Sequence, residues 1–162
     1  MLLNNIVLAL GANCGSELRI LKMVIDLLPL YSKIASFVYK SKALLPKNAP
    51  TSWSVPFFNM VVVGYSNLEL NQFFRVIKNL EVIMGRLSKA HWSPRTIDID
   101  ILFWGNSKIE SKTLSIPHSQ MHYRDFVLVP TCDICSRFIH PVLNKSIADI
   151  AANLKEINLI KI

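Results

Sequence analysis

The sequence predicts an α+β fold that forms a single domain over residues 1–162. A length of 162 residues is typical of one domain. Hydrophobic residues make up 51% of the chain, which is enough to build a core and argues against disorder. Strand and helix patterns alternate in the order β-α-β-β-α-β. That order is typical of the ferredoxin-like arrangement, an antiparallel sheet with helices packed on one face.

The predicted elements follow from the periodicity of the apolar residues. Strands appear as short runs rich in β-branched residues at 6–10, 34–40, 57–65 and 96–103. Helices appear as apolar residues three and four positions apart at 17–28 and 67–84, with shorter ones at 125–136 and 146–154. Ser16 is placed to cap the first helix, and Gly85 to end the second. After Gly105, residues 107–110 can pair back as an extra C-terminal hairpin.

The charge balance limits the classes of partner. The net charge of +7 suits an anionic partner such as a nucleotide, but the basic residues are scattered, which argues against a nucleic-acid tail. No apolar stretch reaches the roughly 18 residues that a membrane helix needs. The N-terminal run reads as a first strand rather than a signal peptide. We therefore expect a cytoplasmic protein, and the odd number of three cysteines fits a reducing compartment.

The most informative segment is the predicted strand that contains Asp98 and Asp100. Because residues two apart on a strand point to the same face, both carboxylates face one way while the isoleucines between and beside them face a core. Two neighbouring acids repel each other unless a cation lies between them, and Mg²⁺ prefers such oxygen ligands. Arg95, just upstream, can hold phosphate oxygens. Phosphoryl transfer requires positive charge of this kind.

Three polar loops are predicted in the chain before this strand. Residues 86–94 carry Arg86, Lys89 and Trp92, and we predict a lid that brings these side chains onto a bound substrate. The loops at 11–16 and 41–56 are expected to close over the same site.

Other polar side chains could complete a ligand site. His118 and Arg124 can donate hydrogen bonds to phosphate oxygens. Asn59, on a strand that Phe57 opens, needs partners for its amide, and a flat heteroaromatic ring would supply them.

Five segments of the chain carry a family resemblance: LALGANCG, FFNMVVVGY, LEVIMGR, WSPRTIDIDILFWG and IPHSQMHYRDFVLVP. In order and spacing they resemble the 6-hydroxymethyl-7,8-dihydropterin pyrophosphokinases of folate biosynthesis. The resemblance runs from Ile6 to about Ile150, and the W-x-P-R-T-x-D-x-D and P-H-x-x-M-x-x-R-x-F blocks are its most specific parts.

The resemblance implies transfer of the pyrophosphoryl group of ATP to the hydroxymethyl oxygen of the pterin, with release of AMP. It implies two Mg²⁺ ions held by Asp98 and Asp100, with ATP as co-substrate. These two aspartates would act in catalysis together with Arg86 and Arg95. The residues implied for ATP are Glu81, Arg86, Trp92, Arg95, Ile101, His118 and Arg124. The residues implied for the pterin are Ser41, Leu44, Phe57, Asn59, Trp92, Asp98 and Phe126.

Two other functions fit the same predicted fold. A palm-type nucleotidyl transferase also uses strand carboxylates and two metals, but the pterin-pocket residues argue against it. An RNA-binding domain of ferredoxin-like topology would carry aromatic residues on its central strands, whereas the acids on the fourth strand would repel a phosphate backbone. The chain is expected to be either a free enzyme or the first part of a fusion with dihydropteroate synthase.

Overall fold

The protein is described by a computed structural model that covers residues 4–86 and 92–162. The strands and helices, in chain order, are β1 (Asn4–Ala12), α1 (Glu17–Leu27), β2 (Tyr31–Ala35), β3 (Tyr39–Ser41), β4 (Phe57–Ser66), α2 (Leu70–Ile83), β5 (Asp98–Trp104), β6 (Ile109–Glu110), β7 (Ser115–Ile116), α3 (Asp125–Cys135), α4 (Ile147–Ala151) and β8 (Leu159–Lys161). Single turns of 3₁₀ helix lie at Thr51–Trp53 and Met121–Tyr123.

The main sheet has the strand order β5-β1-β4-β3-β8, and β2 also pairs with β4. Every pairing in it is antiparallel. The four predicted strands thus lie in the order fourth, first, third, second, which confirms the ferredoxin-like fold class. The predicted strand at 107–110 is present in part as β6, but it pairs with β7 in a separate hairpin rather than back on the fourth strand, with Ile109 opposite Ile116.

The predicted strand at 34–40 is in fact two strands, β2 and β3. Ser36, directly after β2, makes the last hydrogen bonds of this segment to β4. Its backbone N–H donates to Val61 O, and its Oγ accepts from Val61 N. The next N–H, that of Phe37, leaves the sheet and donates to Asp133 on α3. The sequence pattern did not reveal this break, because its cause is a carboxylate almost a hundred residues away. It also missed β8, whose partner is β3.

Helices cover both faces of the sheet. On β1, Ile6 and Leu8 point to one core, which α1 and α2 complete with Leu21 and Phe73 among others. The alternate residue Val7 points to a second core. The side chains that complete this second core come from α3 and α4 and include Val127, Leu128, Ile147 and Ile150. The prediction that helices pack on one face of the sheet therefore holds for α1 and α2. Helices α3 and α4 pack on the opposite face.

The helix ends agree with the sequence only in part. Ser16 lies at the start of α1, but its side chain makes no capping hydrogen bond. A capping box formed by Glu69 and Gln72 begins α2 instead. Gly85 ends α2 with φ of +91°, as predicted. None of the helices in the described residues is long and apolar enough to cross a membrane.

Candidate active site

A cleft opens beside the ends of β1, β4 and β5. Most of the side chains that the sequence predicted for the site line this cleft: Ser41, Leu44, Phe57, Asn59, Trp92, Arg95, Asp98, Asp100, His118, Arg124 and Phe126. These residues are spread over more than eighty positions of the chain, and the fold brings them together.

The two aspartates lie on the cleft side of β5, as their spacing predicted. Their neighbours on β1 are small, with Gly11 opposite Asp98 and Ala9 opposite Asp100. A side chain at Gly11 would lie 3.4 Å from Asn59 Oδ1 and 3.6 Å from the Phe57 ring. Gly11 therefore keeps the floor of the cleft open between the acidic wall and the aromatic wall.

Asp98 is held between two arginines. Arg86 Nη1 donates to Asp98 Oδ1 at 2.6 Å, and Arg95 Nη1 donates to Asp98 Oδ2 at 2.8 Å. Arg86 Nη1 also lies 2.8 Å from Glu81 Oε2. Partial burial alone would lower the pKa of Arg86, but the charges of Asp98 and Glu81 raise it above its ordinary value. Both guanidinium groups are thus positioned at the acidic wall before any substrate binds.

Asp100 lacks such close partners. Lys78 Nζ lies 3.9 Å from Asp100 Oδ1, and His118 Nε2 lies 3.9 Å from Asp100 Oδ2. Desolvation in the cleft raises the pKa of Asp100, and the negative charge of Asp98 raises it further. Desolvation also lowers the pKa of His118 and that of Arg124, although the two aspartates oppose both shifts.

The aspartate pair has the chemistry of a Mg²⁺ site. Both groups are hard oxygen donors on one face, and their side chains are 27% and 38% exposed to the cleft. No cluster of three or more His, Cys, Asp or Glu side chains placed for a metal occurs in residues 4–86 and 92–162. Two carboxylates are nevertheless sufficient for Mg²⁺, which commonly takes its other ligands from phosphates and water.

The opposite wall combines aromatic rings with one buried amide. Asn59 Nδ2 donates to Ser41 Oγ at 2.9 Å and lies 3.4 Å from Tyr39 O. Phe57 and Phe126 line the cleft nearby. The guanidinium carbon of Arg124 lies 5.8 Å from the Phe126 ring centre, within cation–π range.

Three predicted residues lie apart from the cleft lining. Arg86 reaches the site through Asp98, as described above. Glu81 is only 4% exposed, and it connects α2 to β5. Its Oε1 accepts from Ile99 N at 2.7 Å and from Lys78 Nζ at 2.9 Å. Ile101 lines a neighbouring depression that shares Asp100 and His118 with the cleft.

The predicted lid is described only at its ends. Residues 87–91, including Lys89, lie outside the described residues. Trp92 lines the cleft, is 43% exposed and has φ of +70°. A positive φ is costly for so bulky a residue and is often found at functional sites. Closure of this loop stays a prediction.

The sequence analysis did not assign Asn13 to the site. Asn13 is 2% exposed and ties three segments together. Its Oδ1 accepts from Arg95 N at 2.8 Å, its N–H donates to Arg95 O at 3.1 Å, and its Nδ2 donates to Val55 O at 3.2 Å. The only signal in the sequence was the pair of glycines that flank it, of which Gly15 has φ of +99°.

We expect Asn13→Ala to lower turnover while the protein stays folded. The substitution removes the side-chain acceptor of Arg95 N and leaves buried groups unpaired, which costs about 1–3 kcal/mol of stability. Thermal unfolding and kcat measure the two effects. Asn153→Ala is the control, because Asn153 on the surface also donates one side-chain hydrogen bond, to Asp149 O. A kcat for Asn13→Ala equal to that of the control would show that Asn13 does not position Arg95.

Comparisons with known proteins agree with the geometry. The family model for 7,8-dihydro-6-hydroxymethylpterin-pyrophosphokinase matches residues 7–136. A pyrophosphokinase of the same kind from Aquifex aeolicus is 33% identical over 88% of this chain and 87% of its own length. The corresponding protein of Synechocystis is 33% identical over 87% of this chain and 71% of its own length.

Longer relatives and solved structures match as well. The folate synthesis bifunctional protein of Chlamydia caviae is 34% identical over 83% of this chain, but the match covers 31% of that protein. The chain thus spans about a third of the first curated relatives that it matches. A crystal structure of HPPK-DHPS in complex with substrates aligns with a TM-score of 0.73 at 17% identity, over 93% of this chain and 43% of that one, which shows a shared fold. The chain belongs to the 7,8-dihydro-6-hydroxymethylpterin-pyrophosphokinase family.

Proposed function

We propose that this chain transfers the pyrophosphoryl group of ATP to the hydroxyl of 6-hydroxymethyl-7,8-dihydropterin, giving AMP and the pterin diphosphate. One observation carries the proposal. A single cleft has carboxylates and arginines on one wall and aromatic rings with a buried amide on the other. Such a cleft suits a polyphosphate and a flat heterocycle side by side, and family membership names this reaction.

The aromatic wall would hold the pterin. Phe57 and Phe126 offer ring faces, and Asn59 offers an amide edge that Ser41 orients. Burying a heterocycle against such rings gains roughly 0.5–1.5 kcal/mol for each aromatic pair beyond the area buried. Leu44 and Trp92 line the same cleft and would exclude water from the bound ring.

The opposite wall would hold the phosphates of ATP. Arg86 and Arg95 bind Asp98 in the free protein, and phosphate oxygens would compete with Asp98 for these guanidinium groups. Substrate binding would then move two positive charges onto the transferring group and leave the Asp98 carboxylate available. His118 and Arg124 line the cleft beyond Asp100 and would contact the nucleotide.

Asp98 and Asp100 are the residues that would hold Mg²⁺. When bound, Mg²⁺ would neutralise phosphate charge and orient the pterin hydroxyl and the nucleotide for in-line transfer. The residues of the chain would position both substrates and keep water out. The hydroxyl proton would pass to the Asp98 carboxylate, which becomes available once phosphate oxygens bind its two arginine partners.

Incubation with ATP, Mg²⁺ and the hydroxymethyldihydropterin tests the proposal. We expect AMP to appear only when the pterin is present, together with one equivalent of pterin diphosphate. Chromatography of the nucleotides and pterins measures both products. AMP release that does not depend on the pterin, or ADP in its place, would contradict the proposed reaction.

We expect Phe126→Ala to raise the KM for the pterin about tenfold, because an aromatic ring face and its buried area are lost. The KM for ATP should change much less. Tyr123→Ala is the control, since Tyr123 is an exposed aromatic residue outside the cleft. An unchanged pterin KM in Phe126→Ala would remove Phe126 from the pterin pocket.

A further inference from the structure

Lys78 lies at the junction between the cleft and the neighbouring depression. It projects from α2 one turn before Glu81, and its Nζ lies 5.7 Å from the centre of the Phe74 ring. Lys78 lines the neighbouring depression together with Ile101, Asp100 and His118. Two of these residues, Asp100 and His118, also line the cleft. The lysine is therefore close to the acidic wall without belonging to any motif in the sequence.

The ammonium group of Lys78 connects three parts of this wall. Nζ donates to Ile99 O at 2.8 Å, on the β5 residue between the two aspartates. It donates to Glu81 Oε1 at 2.9 Å and faces Asp100 Oδ1 at 3.9 Å. The group thus binds the backbone of β5 and two carboxylates at once. The side chain keeps 32% of its surface exposed.

Lys78 also affects the arginine beside it. Glu81 accepts from Lys78 through Oε1 and from Arg86 through Oε2. Arg86 divides its Nη1 group between Glu81 and Asp98. If Lys78 were replaced by a neutral residue, Glu81 would lose one of its two cationic partners and would bind Arg86 more strongly. Arg86 would then be less available to phosphate oxygens, and Asp100 would face Asp98 with less compensating charge.

We propose that Lys78 is a positioning residue that sets the affinity of the chain for the metal-bound nucleotide. It does so by holding Glu81, Asp100 and the intervening β5 backbone in place, and by leaving Arg86 available for phosphate. This inference rests on the proposed function for its ligand, a nucleoside triphosphate with Mg²⁺. It adds a residue that the sequence motifs do not include.

Lys33 provides a matched control. Its Nζ likewise donates two hydrogen bonds, to Ile25 O at 2.6 Å and Asp26 O at 3.0 Å. Those carbonyls lie at the end of α1, and Lys33 does not line the cleft or the depression. Lys33→Met and Lys78→Met therefore remove the same charge and similar bonds at two places. Only Lys78 lies beside the candidate site.

The test measures binding by calorimetry with Mg²⁺ and an ATP analogue that cannot be cleaved between its α and β phosphates. We expect Lys78→Met to weaken this binding about tenfold, and Lys78→Arg to recover most of it. Pterin binding, measured without nucleotide, should stay unchanged in both variants. Lys33→Met should bind both ligands like the wild-type chain. If Lys78→Met does not fold, Lys78→Gln replaces it, with the same expected result, because glutamine can donate to Ile99 O without carrying a charge.

Each other outcome has a definite meaning. Nucleotide binding by Lys78→Met that equals that of Lys33→Met would overturn this inference and leave the proposed function untouched. A loss of pterin binding as large as the loss of nucleotide binding would overturn it too, because Lys78 would then support the whole fold. A wild-type chain that binds no nucleotide would overturn both the proposed function and the inference.

Discussion

Asp98→Ala and Asp100→Ala are each expected to abolish pterin-dependent AMP release while the protein stays folded. The two carboxylates share one face of β5 and would be the oxygen donors for Mg²⁺ on that wall. Loss of a metal ligand removes several kcal/mol of transition-state stabilisation, which corresponds to a fall in kcat on the order of a thousandfold or more. Product chromatography gives the rate, and circular dichroism gives the fold.

The two substitutions should differ in stability. Asp98 binds Arg86 and Arg95 directly, so its removal should lower the melting temperature. The raised pKa of Asp100 means that its ionised form is less favoured in the folded protein than in the unfolded chain. At neutral pH that carboxylate therefore opposes folding, and Asp100→Asn should melt at or above the wild-type temperature while remaining inactive.

Asp26→Ala is the control for both variants, because Asp26 is exposed on α1 and does not line the cleft. It should keep full activity. Full activity in Asp98→Ala or Asp100→Ala would refute the metal assignment. An Asp100→Asn variant that melts well below the wild type would instead contradict the electrostatic account of this residue.

Arg95→Ala is expected to lower kcat far more than it weakens pterin binding. Arg95 donates to Asp98 Oδ2 and lines the wall of the cleft that is proposed to hold the phosphates, while Asn13 binds its backbone. Removing a preorganised donor to developing charge typically costs about 10²–10³ in kcat. Arg95→Lys should restore little of this, because a lysine carries its charge at a point and lacks the planar set of donors of a guanidinium group.

Steady-state kinetics and a pterin binding titration measure the two effects separately. Arg75→Ala is the control, since Arg75 is exposed on α2 and donates to the carbonyl of Asn71. An unchanged kcat in Arg95→Ala would contradict a role in transfer. An equal loss of kcat and pterin affinity would show that Arg95 supports the cleft as a whole.

Local patterns in the sequence were sufficient to predict the acidic wall. The alternation from Ile97 to Ile101 sets both the strand and the side on which Asp98 and Asp100 lie, because side-chain direction on a strand depends only on residue parity. The ferredoxin-like fold class also followed from the order of the predicted elements. The aromatic wall was predictable only through the family resemblance, which implied that Phe57 and Phe126 bind the same ring. In the structure both residues line the cleft.

Long-range contacts were the part that could not be predicted. The break between β2 and β3 depends on Asp133, which accepts from Phe37 N and from Tyr39 Oη. Asn13 contacts Arg95 across more than eighty residues. In the sequence, Lys78 occupies an ordinary charged position of a predicted amphipathic helix. Periodicity reports which face of an element is apolar, but it does not report which polar side chains meet after folding.

The most direct test of the central claim follows the phosphates of labelled ATP. The chain is incubated with Mg²⁺, the hydroxymethyldihydropterin and ATP that carries its radiolabel in either the α or the β phosphate. We predict that the β label moves to the pterin and that the α label stays in AMP, because the bond between these two phosphates is the one that breaks. Transfer of the α label to the pterin, with release of pyrophosphate, would indicate a nucleotidyl transferase and contradict the account.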